Sequence, residues 1–254
     1  MNKNKPSGVY GLGFISDQDL FNHTKETIEK YRFQINLTEF NKNLIDPVKL
    51  TFDSKVYNKS IQEVINGEVV RQLDKSNTNQ IGYFHQNIFN YIGGKQWQVP
   101  EVGYDVENID QHYFVEMKNK HNTMNSSSSQ KTYIKMQDTI LRNSKATCAL
   151  VEVIAKNSQD SIWNISLGGE PFSNDNIRRV SIDKFYVMVT GKSTAFKDLC
   201  EVLPQVIEDV VNEIKLKDEL NTVFTELKKI SPNLLKSLYL LSFEKYEGFD
   251  EFNL

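Results

Sequence analysis

Asp105, Glu116 and Lys118 stand where two carboxylates and an ammonium group can meet. The run Tyr113-Phe-Val-Glu-Met-Lys118 alternates as a strand does, so Phe114, Glu116 and Lys118 share one face and Tyr113, Val115 and Met117 the other. Asp105 lies eleven residues before Glu116, in a run that reads as the preceding strand of a hairpin. Two carboxylates offer hard oxygen ligands to Mg²⁺, which keeps several waters and takes further ligands from phosphate. Such an ion polarises a phosphoryl oxygen and lowers the pKa of water. A lysine beside it orients or deprotonates that water and offsets charge building on phosphorus. The chemistry within reach is in-line hydrolysis of a phosphodiester. A Glu-x-Lys on a strand is often only a solvated face. Here the opposite face is apolar, an aspartate sits on the neighbouring strand, and Asn119 to Gln130 is dense in hydrogen-bonding groups. Glu107 and Asp110 are rivals for the first carboxylate: Glu107 shares the strand face of Asp105, and Asp110 lies in the turn.

Several elements must position this cluster. Val102–Glu107 and Tyr113–Lys118 read as a hairpin joined by the turn chemistry of Asn108-Ile109-Asp110. Gln130–Asn143 reads as a helix, and Ala146–Ala155, almost wholly apolar, as a strand buried on both faces. Val180–Val189 reads as another strand, followed by Gly191 and a helix over about 194–214. Upstream, Ser16 with Asp19 resembles a capping box for a first helix. Helices are expected over 59–74 and 79–92, the second ended by Gly93-Gly94. Downstream, helices are expected over 217–230 and 232–243, before a frayed tail from Gly248 to Leu254. With no repeat and no Pro- or Gly-rich linker, the expectation is one α/β domain over 1–254. Its parts are a helical region of about 1–95, a core with a mixed central sheet of about 96–192, and a helical region of about 193–254.

Composition bounds the function. A net charge of −3 argues against a polybasic nucleic-acid partner in the manner of histones, yet the average hides a local excess. From Glu116 to Lys145 the segment is +4, leaving −7 for the rest of the chain. Lysines on helix 130–143 can be merely its wet face; their clustering beside the acidic pair favours a surface that tracks phosphates. No apolar run approaches the ~18 residues of a membrane span, and the N-terminus has no signal-peptide core. Cys148 and Cys200 form no CxxC pair and read as reduced core thiols of a cytoplasmic protein. Of 30 basic residues only five are arginines, namely Arg32, Arg71, Arg142, Arg178 and Arg179, so each is less readily dismissed as surface filler.

Asp105 followed by Glu116-Met-Lys118 on a β-β-α-β order resembles the PD-(D/E)xK nuclease core. The longer string Glu116-Met-Lys-Asn-Lys-His-Asn-Thr-Met-Asn125, with Gly82-Tyr-Phe-His-Gln86 upstream, resembles a family of type II restriction endonucleases that cut the interrupted palindrome GGNCC. The resemblance is clearest over roughly 80–190. It implies Asp105 and Glu116 as ligands of Mg²⁺ and Lys118 as the catalytic lysine. Tyr104 stands where the motif's name has proline. A palindrome presents two identical half-sites, so a homodimer on double-stranded DNA is expected, and a cognate DNA methyltransferase is expected in the same bacterial host.

For DNA contact the candidates are Asn119, Lys120, His121, Asn122, Thr123, Asn125, Ser126 and Lys131, a run that reads equally as a surface loop. Guanine is read best by bidentate arginine or lysine, which singles out Arg178 and Arg179, although a solvated strand entry explains them as well. His121 reads as a DNA or phosphate contact and His85 as structural. The rivals are a PD-(D/E)xK nuclease of repair or junction resolution and a non-catalytic DNA-binding protein on the same fold. An HNH-type nuclease fits poorly, because His121-Asn122 lacks further histidines at suitable spacing.

Overall fold

In the computed structural model of the chain, residues 10–121, 123–214, 221–243, 245, 246 and 249 are described. Asn122, the start of the expected helix 217–230 and all of the tail except Phe249 lie outside them. Contacts divide the chain into two compact units, Met1–Glu29 with Ile81–Lys215, and Lys30–Gln80 with Leu216–Leu254.

The first unit carries the sheet. Its elements are α1 (Asp17–Glu29), the end of a helix described below, β1 (Val106–Asn108), β2 (Tyr113–Lys120), α5 (Ser126–Arg142), β3 (Thr147–Ile154), β4 (Asp160–Ile162), β5 (Ile165–Leu167), β6 (Glu170–Phe172), β7 (Ile177–Ser181), α6 (Ile182–Thr190) and α7 (Ala195–Ile214). The second unit holds α2 (Leu37–Asn41), α3 (Pro47–Val56), α8 (Val223–Ile230) and α9 (Leu234–Phe243). Between α3 and β1 runs α4 (Ile61–Asn87), inside which the division between the units falls.

Five strands form a mixed sheet in the order β1-β2-β3-β7-β4. β1 and β2 are the expected hairpin, with Val106 opposite Val115 and Asn108 opposite Tyr113. Asn108 closes the turn by accepting from the Gln111 amide at 3.0 Å. The chain then crosses through α5, and β3 returns parallel to β2, with Glu116 opposite Leu150 and Lys118 opposite Glu152. β7 continues the parallel pairing on β3.

Both faces of the sheet are covered, as the apolar run of β3 requires. On one face Val115, Met117, Ala149, Val151 and Val180 pack with Phe84, Phe89, Phe185 and Tyr186. On the other Cys148, Leu150 and Ile177 pack with Tyr133 and Met136 of α5 and with Tyr104. Glu116 and Lys118 belong to this second face, where α5 covers the sheet. The second unit has its own core of Ile35, Phe40, Leu50, Ile65, Val69, Val223, Leu227 and Leu238.

Four expectations need correction. The helices read over 59–74 and 79–92 are one helix, α4, with a short 3₁₀ turn at Ile88–Asn90. The polar stretch Lys75–Gln80 suggested a break but contains neither Pro nor Gly, and Asn77 is held by a 2.8 Å bond from the Arg32 amide. The strand read over 180–189 ends at Ser181, and the remainder is α6. Its buried residues Ile182, Phe185, Tyr186 and Val189 have helical spacing, which the density of apolar residues obscured. The hairpin's first strand begins only at Val106, because Gly103 at φ +119 turns the chain before it. Cys200 is exposed, whereas Cys148 is buried as expected. The strands β4, β5 and β6 have no counterpart in the sequence reading. Gly93 does end the α4 region: it has φ +74, and an added Cβ would lie 2.5 Å from Val189 Cγ1.

Candidate active site

Strand pairing builds the site. Asp105 directly precedes β1 and its amide donates to the Val115 carbonyl at 2.9 Å, extending the hairpin by one step. Its Oδ2 accepts from the Met117 amide at 2.7 Å, which fixes the carboxylate over β2. From α4, Gln86 Nε2 donates to the Asp105 carbonyl at 3.1 Å, so the upstream Gly82–Gln86 string braces the aspartate. Glu116 and Lys118 project from the same face of β2, and the Lys118 ammonium lies 3.8 Å from Asp105 Oδ2 and 3.7 Å from Glu116 Oε2. It also donates to the Met117 carbonyl at 2.9 Å. The structure therefore brings together Asp105, Glu116 and Lys118. Of the rivals, Glu107 takes a 3.0 Å bond from Gln98, and Asp110 is exposed in the turn.

Tyr104, at the position of the motif's proline, is buried and bonds Thr139 Oγ1 of α5 at 2.7 Å. That bond ties the hairpin to α5. Beside Tyr104 stands a residue the sequence reading counted only as charge, Lys135 of α5. Its ammonium pairs with Glu116 Oε1, donates to the Gly103 carbonyl at 2.5 Å, and lies 4.1 Å from the centre of the Tyr104 ring. Nearby, burial pushes the Cys148 thiol up to about 11, which keeps it protonated and inert.

A second cluster closes the far end of the same face. Glu152, fully buried in β3, pairs with Arg179 of β7 through the guanidinium Nη2 and through Nε at 3.0 Å. His121 Nδ1 lies 2.8 Å from Arg179 Nη2 and 3.1 Å from Glu152 Oε2. Both contacts meet at Nδ1, which sits between a guanidinium that can only donate and a carboxylate that can only accept. Nothing in the sequence reading singled out Glu152, although one acid within a strand buried on both faces requires a partner.

The remaining candidates scatter. Arg178 and Arg179 point to opposite faces of β7. Arg178 binds Asp160, with Nε 2.9 Å from Oδ1, away from the carboxylates. Asn125 is the N-cap of α5, its side chain accepting from the Ser128 amide at 2.8 Å. Lys120, Thr123, Ser126 and Lys131 are exposed, and Asn119 is half-buried at the end of β2. Asn122 is outside the described residues.

His85 has a structural setting. Its ring meets Phe84 at 5.5 Å and Phe196 at 6.5 Å between centres. Its Nδ1 is sealed from solvent without a hydrogen-bond partner among the described residues. Burial, with the nearby His23, lowers its pKa to about 4. The unfolded chain takes up this proton near pH 6.5 and the folded chain only near 4, so stability present above 6.5 is lost as pH falls through that window. The loss approaches about 3 kcal/mol. Urea unfolding of His85→Asn should show a flatter dependence on pH between 6.5 and 4 than the parent; parallel curves would refute this.

Three comparisons of sequence bear on the site. The model of the Eco47II restriction endonuclease family matches residues 12–212, a span that includes Asp105, Glu116, Lys118, Glu152 and Arg179. The type II restriction enzyme Sau96I of Staphylococcus aureus is 33% identical over 217 residues, covering 81% of this chain and 83% of that enzyme. The type II restriction enzyme Eco47II of Escherichia coli is 31% identical over 215 residues, covering 80% and 89% respectively.

Proposed function

The chain belongs to the Eco47II restriction endonuclease family and is a type II site-specific deoxyribonuclease; from that premise we propose that it cuts both strands of DNA at GGNCC, using Asp105, Glu116 and Lys118 and a Mg²⁺ ion. The observation that carries this reading is the Lys118 ammonium, held within 4 Å of both carboxylates, with all three side chains partly exposed. No helix among the described residues is long and apolar enough to cross a membrane, and we place the enzyme in the bacterial cytoplasm.

The donor set fits a hard cation. Asp105 keeps Oδ1 without a protein hydrogen bond among the described residues, and both Glu116 oxygens face ammonium groups, positions where a cation is already accommodated. Two carboxylates suit an ion that keeps most of its waters. Such an ion would supply polarisation of a phosphoryl oxygen and a lowered pKa for water. The protein's own part is positioning. The Met117 amide fixes Asp105, and the hairpin register fixes Glu116 beside it. Lys118 orients the attacking water and sets a positive charge where negative charge grows on the phosphoryl oxygens.

We assign DNA contact to the end of β2, the polar run after it and the start of α5, with Asn119, Lys120, His121, Thr123, Asn125, Ser126 and Lys131 along the backbone and Arg178 and Arg179 as candidates for guanine. A homodimer would place one such site on each strand of the palindrome, and a methyltransferase in the same host would protect its DNA. The test is plasmid DNA with Mg²⁺ and mapping of the fragment ends. Discrete bands ending at GGNCC are expected; a smear, or fragments ending elsewhere, would refute the site.

A further inference from the structure

Lys135 is tied to the site more tightly than a surface lysine needs to be. It contacts a carboxylate, a main-chain carbonyl and an aromatic face at once, while its side chain is 39% exposed. Its partner oxygen, Glu116 Oε1, belongs to one of the two carboxylates assigned to the metal. Asp105, Glu116, Lys118 and Lys135 together balance two negative charges with two positive ones. The geometry points to Lys135 as a resident counter-ion of Glu116, a cation that a divalent metal ion must displace or oppose in order to bind.

This inference rests on the metal-site reading above. Its physical basis is charge: an ammonium sharing Glu116 with a dication repels it, and at a partly exposed site that repulsion weakens metal affinity on the order of tenfold. Lys118 opposes a dication in the same way, from the other oxygen of Glu116 at 3.7 Å and from Asp105 at 3.8 Å, and its contribution is common to the parent and to every Lys135 variant. A lysine that merely braced the Tyr104–α5 packing would act in the opposite sense. Removing it would loosen Glu116 and weaken the metal or leave it unchanged.

The experiment titrates Mn²⁺ alone into the DNA-free full chain, by calorimetry or by the electron-spin signal of free Mn²⁺. Lys135→Met keeps the apolar stem over Tyr104 and removes the charge; it should bind Mn²⁺ about tenfold more tightly than the parent. Lys135→Arg keeps the charge and should bind as the parent does. If the methionine variant does not fold by circular dichroism, Lys135→Gln takes its place. No gain of affinity in the neutral variant, while Glu116→Ala still loses binding, overturns the counter-ion role and leaves the metal site standing. Unchanged Mn²⁺ binding in Glu116→Ala removes the metal site and this inference with it.

Discussion

Lys118→Ala should bind its DNA as the parent does and cut it roughly 10³-fold more slowly or not at all. Among the described residues the ammonium, within 4 Å of both carboxylates, engages no element beyond β2 and Asp105, so its removal leaves the fold intact. What is lost acts in the transition state, when charge develops on the phosphoryl oxygens and a water must be oriented for attack. The loss should therefore fall on kcat rather than on KM. Lys118→Arg should restore little, since a planar fork cannot stand as a point charge between two carboxylates. Binding is read by fluorescence anisotropy of a duplex without divalent metal, and cleavage by single-turnover assay with Mg²⁺. Undiminished cleavage would remove Lys118 from the mechanism, and loss of binding equal to the loss of cleavage would move it to the DNA interface.

How much of this was legible in the sequence depends on how far apart the signals lie. The hairpin, its alternating faces and the carboxylate pair are local, and strand periodicity with Asn108-Ile109-Asp110 was enough to bring Asp105 beside Glu116. The buried β3 was equally plain. Lys135 and Glu152 were not, because each reaches the site from another element. Lys135 comes from the crossover helix, one of its two lysines and alike with Lys131 in sequence. Glu152 comes from a strand whose apolar density drew attention from its one acid. The same density hid α6, where Ile182, Phe185, Tyr186 and Val189 follow a helical period within a run that also suits a strand. The division into two units was hidden for a different reason. Its second core joins residues near 35–70 to residues near 223–238, and contacts so distant in sequence leave no linker composition to mark them.

Arg179 has two readings, and stability separates them. As a guanine reader it would need to leave Glu152, which is 1% exposed and would then be a buried charge with, among the described residues, only His121 against it. Removing one partner of such a pair costs about 3 kcal/mol or more, because the other is left desolvated and uncompensated. Arg179→Met and Glu152→Met should each lose on the order of 3 kcal/mol in urea unfolding. The double variant should regain most of that, since two apolar side chains of similar length leave no charge stranded. That non-additivity is the signature of an anchor joining the ends of β2, β3 and β7, with His121 as its third member. An Arg179→Met protein as stable as the parent that has lost sequence-specific binding would instead mean that the guanidinium serves the DNA.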